Sequence, residues 1–355
     1  MKSRIDRAVD EMKKVGLKQL LVSDPKSIRY LTGIYHEPFE RMFFFLLRDN
    51  GEHVFFLNHL FFIGPTGFNE VRYSDMDDQM TLLVEQIDEK EVLGVDKVMT
   101  ARFLVPLQER MPNLKTVIGS DCVDNCRAVK DEEEIAIMKR SSEINDLVME
   151  RAIKHAAVGM SEKELADYID EQYAAEGVVP CFTTIVCYGE NAADSHHVPS
   201  ADVKLKEGQC VLIDMGCIYK NYCSDMTRTF YMHSVDDEQA KIYEIVREAQ
   251  QAACDAVKPG VKMSEIYAVC RKVIDDSGYG KYWTIRLGHF IGQEDHEKGD
   301  VGPNDHTPAA PGMIFSIEPG IYIEGFTGVR IEDLVLVTED GYENLNAVDK
   351  KLLVV

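Results

Sequence analysis

The sequence predicts two domains, an α/β N-terminal domain at residues 1–122 and an α+β domain with an internal repeat at residues 123–355. Three observations predict this organisation. Helical and strand-like segments alternate in the first part, a long charged segment follows it, and two similar helical segments recur in the second part. A chain of 355 residues can also bury more than one core.

The first part combines short elements of both kinds. Residues 5–17 have an apolar helical face, and Gln19–Val22 is a short apolar strand. Residues 42–47 and 53–57 flank an Asp-Asn-Gly turn at residues 49–51, which is typical of a β-hairpin. The alternation predicts a compact α/β domain.

Two segments of the second part resemble each other. Residues 154–177 and 253–278 each predict a helix that is entered through Gly, Met, Ser and Glu and ends near a Gly. In the first copy, Ser161 and Glu164 have the spacing of a capping box, which fixes where a helix begins. We therefore expect a duplicated half-domain that closes around one site, with chance similarity of two amphipathic helices as the alternative.

An acidic pair lies in two apolar, strand-like runs. If residues 210–217 and 222–232 form a hairpin centred on Tyr219 and Lys220, Asp214 lies directly across from Asp225. Like charges facing each other in a strand pair are destabilising unless a cation neutralises them. The pattern favours a divalent cation, and the alternative is one carboxylate on a solvated face.

A second acidic pair follows near the end of the chain. Residues 313–318 and 328–337 predict neighbouring strands, and they carry Glu318 and Glu332. Side chains alternate along a strand, so Arg330 points the same way as Glu332. A structural ion pair between these two residues is the alternative to a metal site.

Between the acidic pairs, His289 stands next to Gly288, with Gly292 three residues further on. Glycines allow the backbone to approach closely, which suits a metal-binding or substrate-binding imidazole. A lone histidine in such a segment is more often a hydrogen-bonded core residue. The complete set of one imidazole and four carboxylates favours metal binding instead.

The order Asp, Asp, His, Glu, Glu, with GHFIG, IEPGIY and GVRIED around the last three, resembles the pita-bread metallopeptidases. That family includes prolidase, aminopeptidase P and methionine aminopeptidase. The resemblance implies an α+β pita-bread catalytic domain with an internal pseudo-twofold repeat. Because methionine aminopeptidase needs only the catalytic half, the preceding α/β domain favours the prolidase and aminopeptidase P group.

The same resemblance implies a role for each of the five residues. Asp225 and Glu332 would bridge two divalent metal ions, Asp214 would bind one of them, and His289 with Glu318 would bind the other. Glu318 would also be the catalytic general base. Oxygen-rich sites with one imidazole favour manganese, with cobalt, zinc or iron able to substitute.

Three further residues match the family's catalytic and substrate-binding positions. His196 stands seven residues after Gly189, as the family's substrate histidine does, and His296 matches a downstream histidine that approaches the substrate carbonyl. Arg330 matches an arginine that can meet a substrate carboxylate. The alternatives are surface or packing roles for the histidines, and a structural partnership with Glu332 for Arg330. His197 would face away if its segment is extended.

Residues 30–41, YLTGIYHEPFER, resemble the N-terminal segment of bacterial Xaa-Pro dipeptidases. In that group the loop reaches the active site of the other subunit. The resemblance implies a homodimer in which residues 36–41 restrict substrate length, and an ordinary surface loop is the alternative. We therefore expect hydrolysis of the peptide bond preceding proline in dipeptides or short peptides.

Three other functions stay open. They are an aminopeptidase P that acts on longer peptides, a non-peptidase amide or amidine hydrolase, and a catalytically silent binding protein on the same scaffold. Five positions also depart from the family pattern, and we expect them to line the pocket and to bear on specificity: Asp194, Ser195, Phe290, Gln293 and Asp295.

Composition limits the partners. A net charge of -22 argues against nucleic acid and anionic membrane surfaces. The sequence has neither a long apolar run nor the apolar core of a signal peptide, so we expect a cytoplasmic protein. Nine cysteines without paired spacing predict free, mostly buried thiols.

Overall fold

A computed structural model describes residues 2–355. The chain divides into two compact units, Met1–Arg127 and Ala128–Val355. The predicted boundary after residue 122 falls inside a helix that spans Asp121–Ala128.

The first unit is a mixed sheet with helices. Its helices are α1 (Arg4–Lys14), α2 (Pro25–Thr32), α3 (Gln79–Val84), α4 (Ala101–Arg110) and α5 (Asp121–Ala128), with a 3-10 helix at His59–Phe61. Its strands are β1 (Gln19–Val22), β2 (Phe44–Arg48), β3 (Val54–Asn58), β4 (Asn69–Tyr73), β5 (Leu93–Val95) and β6 (Thr116–Ile118). They form one six-stranded sheet in the order β4-β3-β2-β1-β5-β6.

The pairing in this sheet confirms the predicted α/β character. β2 and β3 pair antiparallel across the turn at Gly51, as the Asp-Asn-Gly signal predicts, whereas β1, β5 and β6 run parallel. Parallel strands need crossover connections, and α4 lies between β5 and β6 in the chain. Apolar residues from both faces of the sheet form two separate hydrophobic clusters.

The second unit contains longer helices and antiparallel sheets. Its helices are α6 (Glu132–His155), α7 (Glu162–Ala175), α8 (Asp237–Asp255) and α9 (Met263–Asp276), with 3-10 helices at Gly189–Ala193 and Gly280–Tyr282. The strands of its first half are β7 (Val179–Pro180), β8 (Ile185–Tyr188), β9 (Cys210–Met215), β10 (Cys217–Tyr219), β11 (Tyr222–Cys223) and β12 (Met226–Tyr231). Those of its second half are β13 (Gly288–Phe290), β14 (Glu297–Val301), β15 (Ile314–Ile317), β16 (Gly320–Ile323), β17 (Thr327–Arg330), β18 (Asp333–Val337) and β19 (Tyr342–Asn344).

Two sheets carry the candidate site. The first half contributes a sheet in the order β12-β9-β8, and the second half contributes one in the order β14-β13-β15-β18-β19. β7, β10 and β11 form a further small sheet, and β16 pairs with β17.

The internal repeat is confirmed by matched hydrogen bonds. The Gly159 N–H donates to the Leu205 carbonyl in the first half, and the Gly260 N–H donates to the Ala309 carbonyl in the second. Both glycines have a positive φ, 92° and 88°. The capping box of Ser161 and Glu164 is present at the start of α7. Each long helix pair, α6 with α7 and α8 with α9, therefore precedes an equivalent half-domain.

The predicted register of the acidic hairpin is wrong. The turn lies at Lys220 and Asn221, which both have a positive φ, 46° and 70°, as in a two-residue type I′ hairpin. This turn places Asp214 opposite Thr227 and not opposite Asp225. Because Asp225 and Thr227 are two residues apart, the error does not change the predicted face of the sheet.

Two sequence expectations concern the chain as a whole. All nine cysteines lie in the described residues and are free thiols, and eight of them are buried, which confirms that expectation. Across residues 2–355, no helix has the length and apolarity needed to span a membrane.

Candidate active site

A cavity of about 710 Å³ opens in the second unit, and all five predicted metal-binding residues line it. Asp214 is on β9 and His289 is on β13, whereas Asp225, Glu318 and Glu332 flank β12, β15 and β18. Two of these residues come from the strands of the first half and three from those of the second, and all five meet at one site.

Gly288 allows this convergence. A Cβ atom at this position would lie 1.9 Å from the Ser316 carbonyl oxygen, so any other residue would push β13 away from β15. The close approach lets the Ser316 hydroxyl accept a hydrogen bond from the His289 backbone N–H at 3.0 Å. The glycine next to the imidazole thus fixes where His289 stands.

The orientation of the His289 ring is set by its own backbone. Nδ1 lies 3.2 Å from the Phe290 carbonyl, which can only accept, so Nδ1 carries the proton. Nε2 then presents its lone pair to the Asp225 and Glu318 carboxylates, at 3.6 and 3.4 Å. Burial lowers the pKa of His289 to about 4, so the ring is neutral near pH 7.

Asp225 and Glu332 are buried carboxylates that face each other. The Thr227 hydroxyl donates to Glu332 Oε2 at 2.7 Å, whereas Asp225 Oδ1 is buried and has no hydrogen-bond partner within residues 2–355. Burial raises the pKa of both carboxyls well above the usual range. Neighbouring carboxylates raise it further, with Glu332 and Asp214 acting on Asp225, and Glu318 and Asp214 acting on Glu332. Such a pair is costly to bury unless a positive charge lies between the two groups.

The donors present fit a divalent cation. Asp225, His289 and Glu332 each offer one ligand atom, and these atoms all lie within 4.8 Å of one another. Asp214 Oδ1 is a second buried carboxylate oxygen without a partner in the described residues. Carboxylate oxygens with one neutral imidazole are the donors that hard and borderline divalent ions prefer.

Asp214 lies on the same cavity wall but already has a cationic partner. Its Oδ2 accepts from the Arg330 guanidinium at 2.6 Å. Arg330 also donates to the Thr227 hydroxyl at 3.0 Å and to the Tyr322 hydroxyl at 3.0 Å. Arg330 therefore forms its ion pair with Asp214. The alternative predicted from the sequence, a structural ion pair between Arg330 and Glu332, is wrong.

Glu318 is positioned by a neighbour two residues earlier. The buried Ser316 hydroxyl donates to Glu318 Oε1 at 3.0 Å while it accepts from the His289 N–H. Burial raises the pKa of Glu318 to about 6. One serine therefore connects the backbone of His289 with the carboxylate of Glu318.

His196 and His197 both line the cavity, which the sequence did not predict for His197. The expected extended segment is instead a 3-10 helix followed by turns, and His196 is exposed. His197 Nε2 lies 2.7 Å from Oε2 of the buried Glu162, the first residue of α7. Glu162 also accepts from the backbone N–H groups of Tyr188 and Ser200 at 2.8 and 3.0 Å. The Glu162 carboxylate therefore anchors the segment that carries His196 by hydrogen bonds.

His296 lines the cavity beside His289, with the ring centroids 3.9 Å apart and the ring planes tilted by 36°. Its Nδ1 accepts from Arg286 Nη2 at 3.0 Å. Burial, then the neighbouring His289 and Arg286, lower the pKa of His296. A neutral ring with Nδ1 as acceptor leaves Nε2 protonated and able to donate.

Comparison with known proteins assigns the family. Residues 136–339 match the model of metallopeptidase family M24, and residues 4–129 match the creatinase/prolidase N-terminal domain. The chain belongs to metallopeptidase family M24. It is therefore an enzyme of the metallopeptidase class with the pita-bread catalytic fold.

Relatives of this M24 metallopeptidase match it over nearly their whole length. An uncharacterized peptidase of Staphylococcus saprophyticus is 33% identical over 98% of this chain and 100% of the relative. The crystal structure of dipeptidase PepE from Mycobacterium ulcerans is 32% identical, covers 99% of this chain and 97% of its own, and has a TM-score of 0.94. That of a prolidase from Thermococcus sibiricus is also 32% identical, covers 100% of both chains, and has a TM-score of 0.92.

Four of the five positions that depart from the family pattern divide into two groups. The expectation for the fifth was wrong: Asp194 is exposed, does not line the cavity, and accepts from the His196 backbone N–H at 3.1 Å. Ser195 and Asp295 line the cavity of this M24 enzyme, as expected. Phe290 instead packs on Phe315 in the core, with ring centroids 5.5 Å apart, and Gln293 Nε2 donates to the Tyr222 hydroxyl at 3.3 Å. The expectation that these two side chains form the pocket was wrong, because the β13–β14 hairpin turns them into the domain.

Sequence reasoning missed four residues that shape the site: Glu162, Thr227, Arg286 and Ser316. Thr227 and Ser316 each stand two residues from a carboxylate of the set, so alternation along a strand could have found them. Glu162 lies within the capping-box motif, which predicts the start of a helix and nothing about the cavity. Arg286 had no local signal, because its position on the cavity wall depends on the β13–β14 hairpin.

Proposed function

We propose that this M24 metallopeptidase is an Xaa-Pro dipeptidase, which hydrolyses the bond preceding proline in dipeptides or short peptides. The single observation that carries the metal-dependent part is the set of buried carboxylates with unpartnered oxygens around a neutral imidazole nitrogen. The names of the prolidase and dipeptidase relatives support the proline-directed part.

Five residues would hold two divalent cations, with manganese favoured and cobalt, zinc or iron able to substitute. Asp225 and Glu332 would be shared, Asp214 would bind one ion, and His289 with Glu318 would bind the other. Bound cations supply the positive charge that offsets the buried carboxylates and activates water for attack.

The protein's own groups handle the proton and the developing charge. Glu318, held through Oε1 by Ser316, is the proposed base that takes the proton of the attacking water and returns it to the leaving nitrogen. His296, with Nε2 protonated, is proposed to donate to the carbonyl oxygen as negative charge develops there. His196 is proposed to contact the substrate from the exposed segment that Glu162 fastens.

We further propose a cytoplasmic homodimer in which residues 36–41 limit substrate length. Within its own unit this segment is tied by Arg41, whose guanidinium donates to both carboxylate oxygens of Asp75 at 2.9 and 2.7 Å. Light scattering coupled to gel filtration tests the assembly, and a monomer at micromolar concentration would contradict it.

Hydrolysis of a peptide panel tests the function. The panel contains Xaa-Pro dipeptides, Xaa-Pro-Yaa tripeptides and dipeptides without proline, offered to metal-free protein and to protein reloaded with manganese, cobalt, zinc or iron. We expect Xaa-Pro dipeptides to be cleaved by the reloaded protein alone. Asp225→Asn and Glu332→Gln are the inactive controls.

Other outcomes of the panel would contradict the proposal. Cleavage of tripeptides without cleavage of dipeptides would indicate an aminopeptidase P type. Inert reloaded protein would indicate a different amide hydrolase or a binding protein on this scaffold.

A further inference from the structure

One carboxylate of the cavity wall lies outside the candidate metal site and lacks a cationic partner. Asp295 is in the turn between β13 and β14, is half-buried, and lines the cavity. In the described part of the chain its side chain forms neither a hydrogen bond nor an ion pair. The two arginines of the described cavity wall already have acidic partners, which are Asp214 for Arg330 and Asp300 for Arg286. The charge of Asp295 is therefore available to a ligand.

Filling the cavity changes the surroundings of the Asp295 carboxylate. A substrate side chain that contacts the carboxylate displaces water from it. A carboxylate that loses water without gaining a cation or a hydrogen-bond donor raises the free energy of the complex. An apolar side chain at this place is thus disfavoured, and one with a cationic end is favoured. The same group therefore attracts one class of substrate and rejects another.

Electrostatic influence locates Asp295 on the wall. Burial lowers the pKa of His296, the next residue in the chain, and the charge of Asp295 acts in the opposite direction. Burial also raises the pKa of the Cys181 thiol, and nearby acidic groups, Asp295 among them, raise it further. Cys181 directly precedes Phe182, which lines the cavity. Asp295 therefore lies within electrostatic range of both His296 and the segment that carries Phe182.

This part of the wall also offers apolar surface. The apolar side chains that line the cavity are Phe182, Ile185, Val198 and Ile285. Val198 is 74% exposed, so its side chain is accessible to a ligand. Lysine and arginine side chains lay an apolar stem along such a surface while the charged end reaches a polar group. An apolar wall with a carboxylate beside it matches both parts of a basic side chain.

An Xaa-Pro dipeptide offers up to two cations, because the proline side chain has none. Only one carbon atom separates the α-ammonium group from the carbonyl that is attacked, so this group stays beside the candidate metal site. After burial, the carboxylates that raise the pKa of Asp225 most are those of Glu332, Asp214 and Glu318. Asp295 is not among them, so it lies further from that site. The long stem of a basic Xaa side chain can span this distance.

We propose that Asp295 binds the cationic side chain of the residue before the cleaved bond, so that the enzyme prefers lysyl-proline and arginyl-proline among Xaa-Pro dipeptides. This inference rests on the proposed function and specifies the class of Xaa within it. The stem of the basic side chain packs on the wall at Phe182, and its charged end forms a charge-assisted hydrogen bond with the Asp295 carboxylate.

Paired substrates test the proposal with the metal-loaded enzyme. Lysyl-proline and norleucyl-proline share the same carbon chain and differ only in the ε-ammonium group. We expect kcat/KM of the wild-type enzyme to be roughly 10-fold higher for lysyl-proline, mainly through KM, because one ion pair forms in a cavity partly open to water. Added salt should reduce the ratio, since it screens a half-exposed pair. Equal kcat/KM for both substrates would overturn the inference while leaving the Xaa-Pro activity in place.

Variants of Asp295 show whether this carboxylate causes the preference. In Asp295→Asn the ratio of kcat/KM for lysyl-proline to that for norleucyl-proline should fall to about 1, because both changes remove the same ion pair. In Asp295→Lys the preference should invert, so that glutamyl-proline is cleaved faster than lysyl-proline. Asp167→Asn, which removes an exposed carboxylate paired with Lys163 on α7, is the matched control and should keep the wild-type ratio.

The remaining outcomes are also decisive. An equal loss for both substrates in Asp295→Asn, with the ratio kept, would mean that Asp295 binds the α-ammonium group or acts through His296, and would overturn the inference. If the wild-type enzyme cleaved no Xaa-Pro dipeptide but cleaved other peptides, the proposed function itself would fail, and the inference with it.

Discussion

Glu332 and Asp333 are neighbours in the chain, and both are almost completely buried. The charges that surround the two carboxylates are nevertheless of opposite sign. Asp333 is surrounded by donors. Its Oδ1 accepts from Arg228 at 2.6 Å, and its Oδ2 accepts from Gln250, Asn344 and Lys350 at 3.1, 2.9 and 2.6 Å. Among residues 2–355, Glu332 has one side-chain donor, Thr227, and it faces other carboxylates.

The pKa values of the two groups express this difference. Burial alone would raise the pKa of Asp333, but Arg228 and Lys350 outweigh it and hold the pKa below its usual range. Burial, Glu318 and Asp214 raise the pKa of Glu332 well above its usual range. A buried carboxylate with matched donors stabilises the fold, whereas one that lies among like charges indicates a cation-binding site.

The largest expected effect on folding comes from the satisfied carboxylate. Asp333→Asn should lower the free energy of unfolding by about 3–5 kcal/mol, because Arg228 would keep a buried charge without its partner. Chemical denaturation of the metal-free protein measures it. Asp276→Asn, which breaks an exposed pair with Lys272, should cost less than about 1 kcal/mol. A similar loss of unfolding free energy in both variants would show that the buried Asp333 stabilises the fold no more than the exposed Asp276 does.

Substitution of a buried carboxylate that lacks matched donors should lower the activity and not the stability of the metal-free protein. Asp225→Asn should reduce peptidase activity by more than about 100-fold, since Asp225 is a proposed direct metal ligand and loss of a direct ligand costs more than loss of an outer partner. It should leave the metal-free protein as stable as the wild type or more stable, because one repelling charge is gone. Activity, bound metal by elemental analysis and denaturation are measured on one preparation. A strongly destabilised metal-free variant would show that Asp225 supports the fold directly.

A smaller effect is expected where a hydroxyl only positions the site. Ser316→Ala removes the bond to Glu318 and the acceptor for the His289 N–H, and should lower activity or metal affinity about 10- to 100-fold. Metal titration measured alongside kcat and KM checks this expectation. Ser277→Ala, at the C-cap of α9 and outside the cavity lining, also removes one partly buried hydroxyl hydrogen bond and is the control. Unchanged metal affinity and activity would show that Ser316 merely fills space.

The smallest effect concerns Asp146 on α6, which lies near Asp333 and Arg228 but forms no ion pair within residues 2–355. Burial raises the pKa of Asp146 to about 6, above the ordinary value of 3.8. The folded state therefore binds the proton more tightly, and this group's contribution to stability falls as pH rises from about 4 to 6. Relative to the wild type, Asp146→Asn should gain about 1–2 kcal/mol between pH 4 and pH 8, after allowance for solvent screening. Denaturation at both pH values tests it, and a constant difference would contradict it.

Much of the fold and the identity of the candidate site could be predicted from the sequence. Turn signals, apolar periodicity and the capping box of Ser161 and Glu164 act over a few residues, so they can be read locally. Alternate residues of a strand point to the same face of its sheet, and this rule also depends on local sequence alone. For this reason Asp214 and Asp225 were assigned to one face of the sheet even though the predicted register was wrong.

Only the tertiary structure decided the partners. Arg330 bonds Asp214, which lies 116 residues earlier, and His197 bonds Glu162, 35 residues earlier. Arg286 lies just before β13, and it lines the cavity because the pairing of β13 with β14 places this end of the strand there. Which donor a buried charge meets depends on how distant strands and helices pack. Local sequence fixes the type of each side chain and the face on which it lies, but the three-dimensional fold determines whether its charge is neutralised or left for a cation.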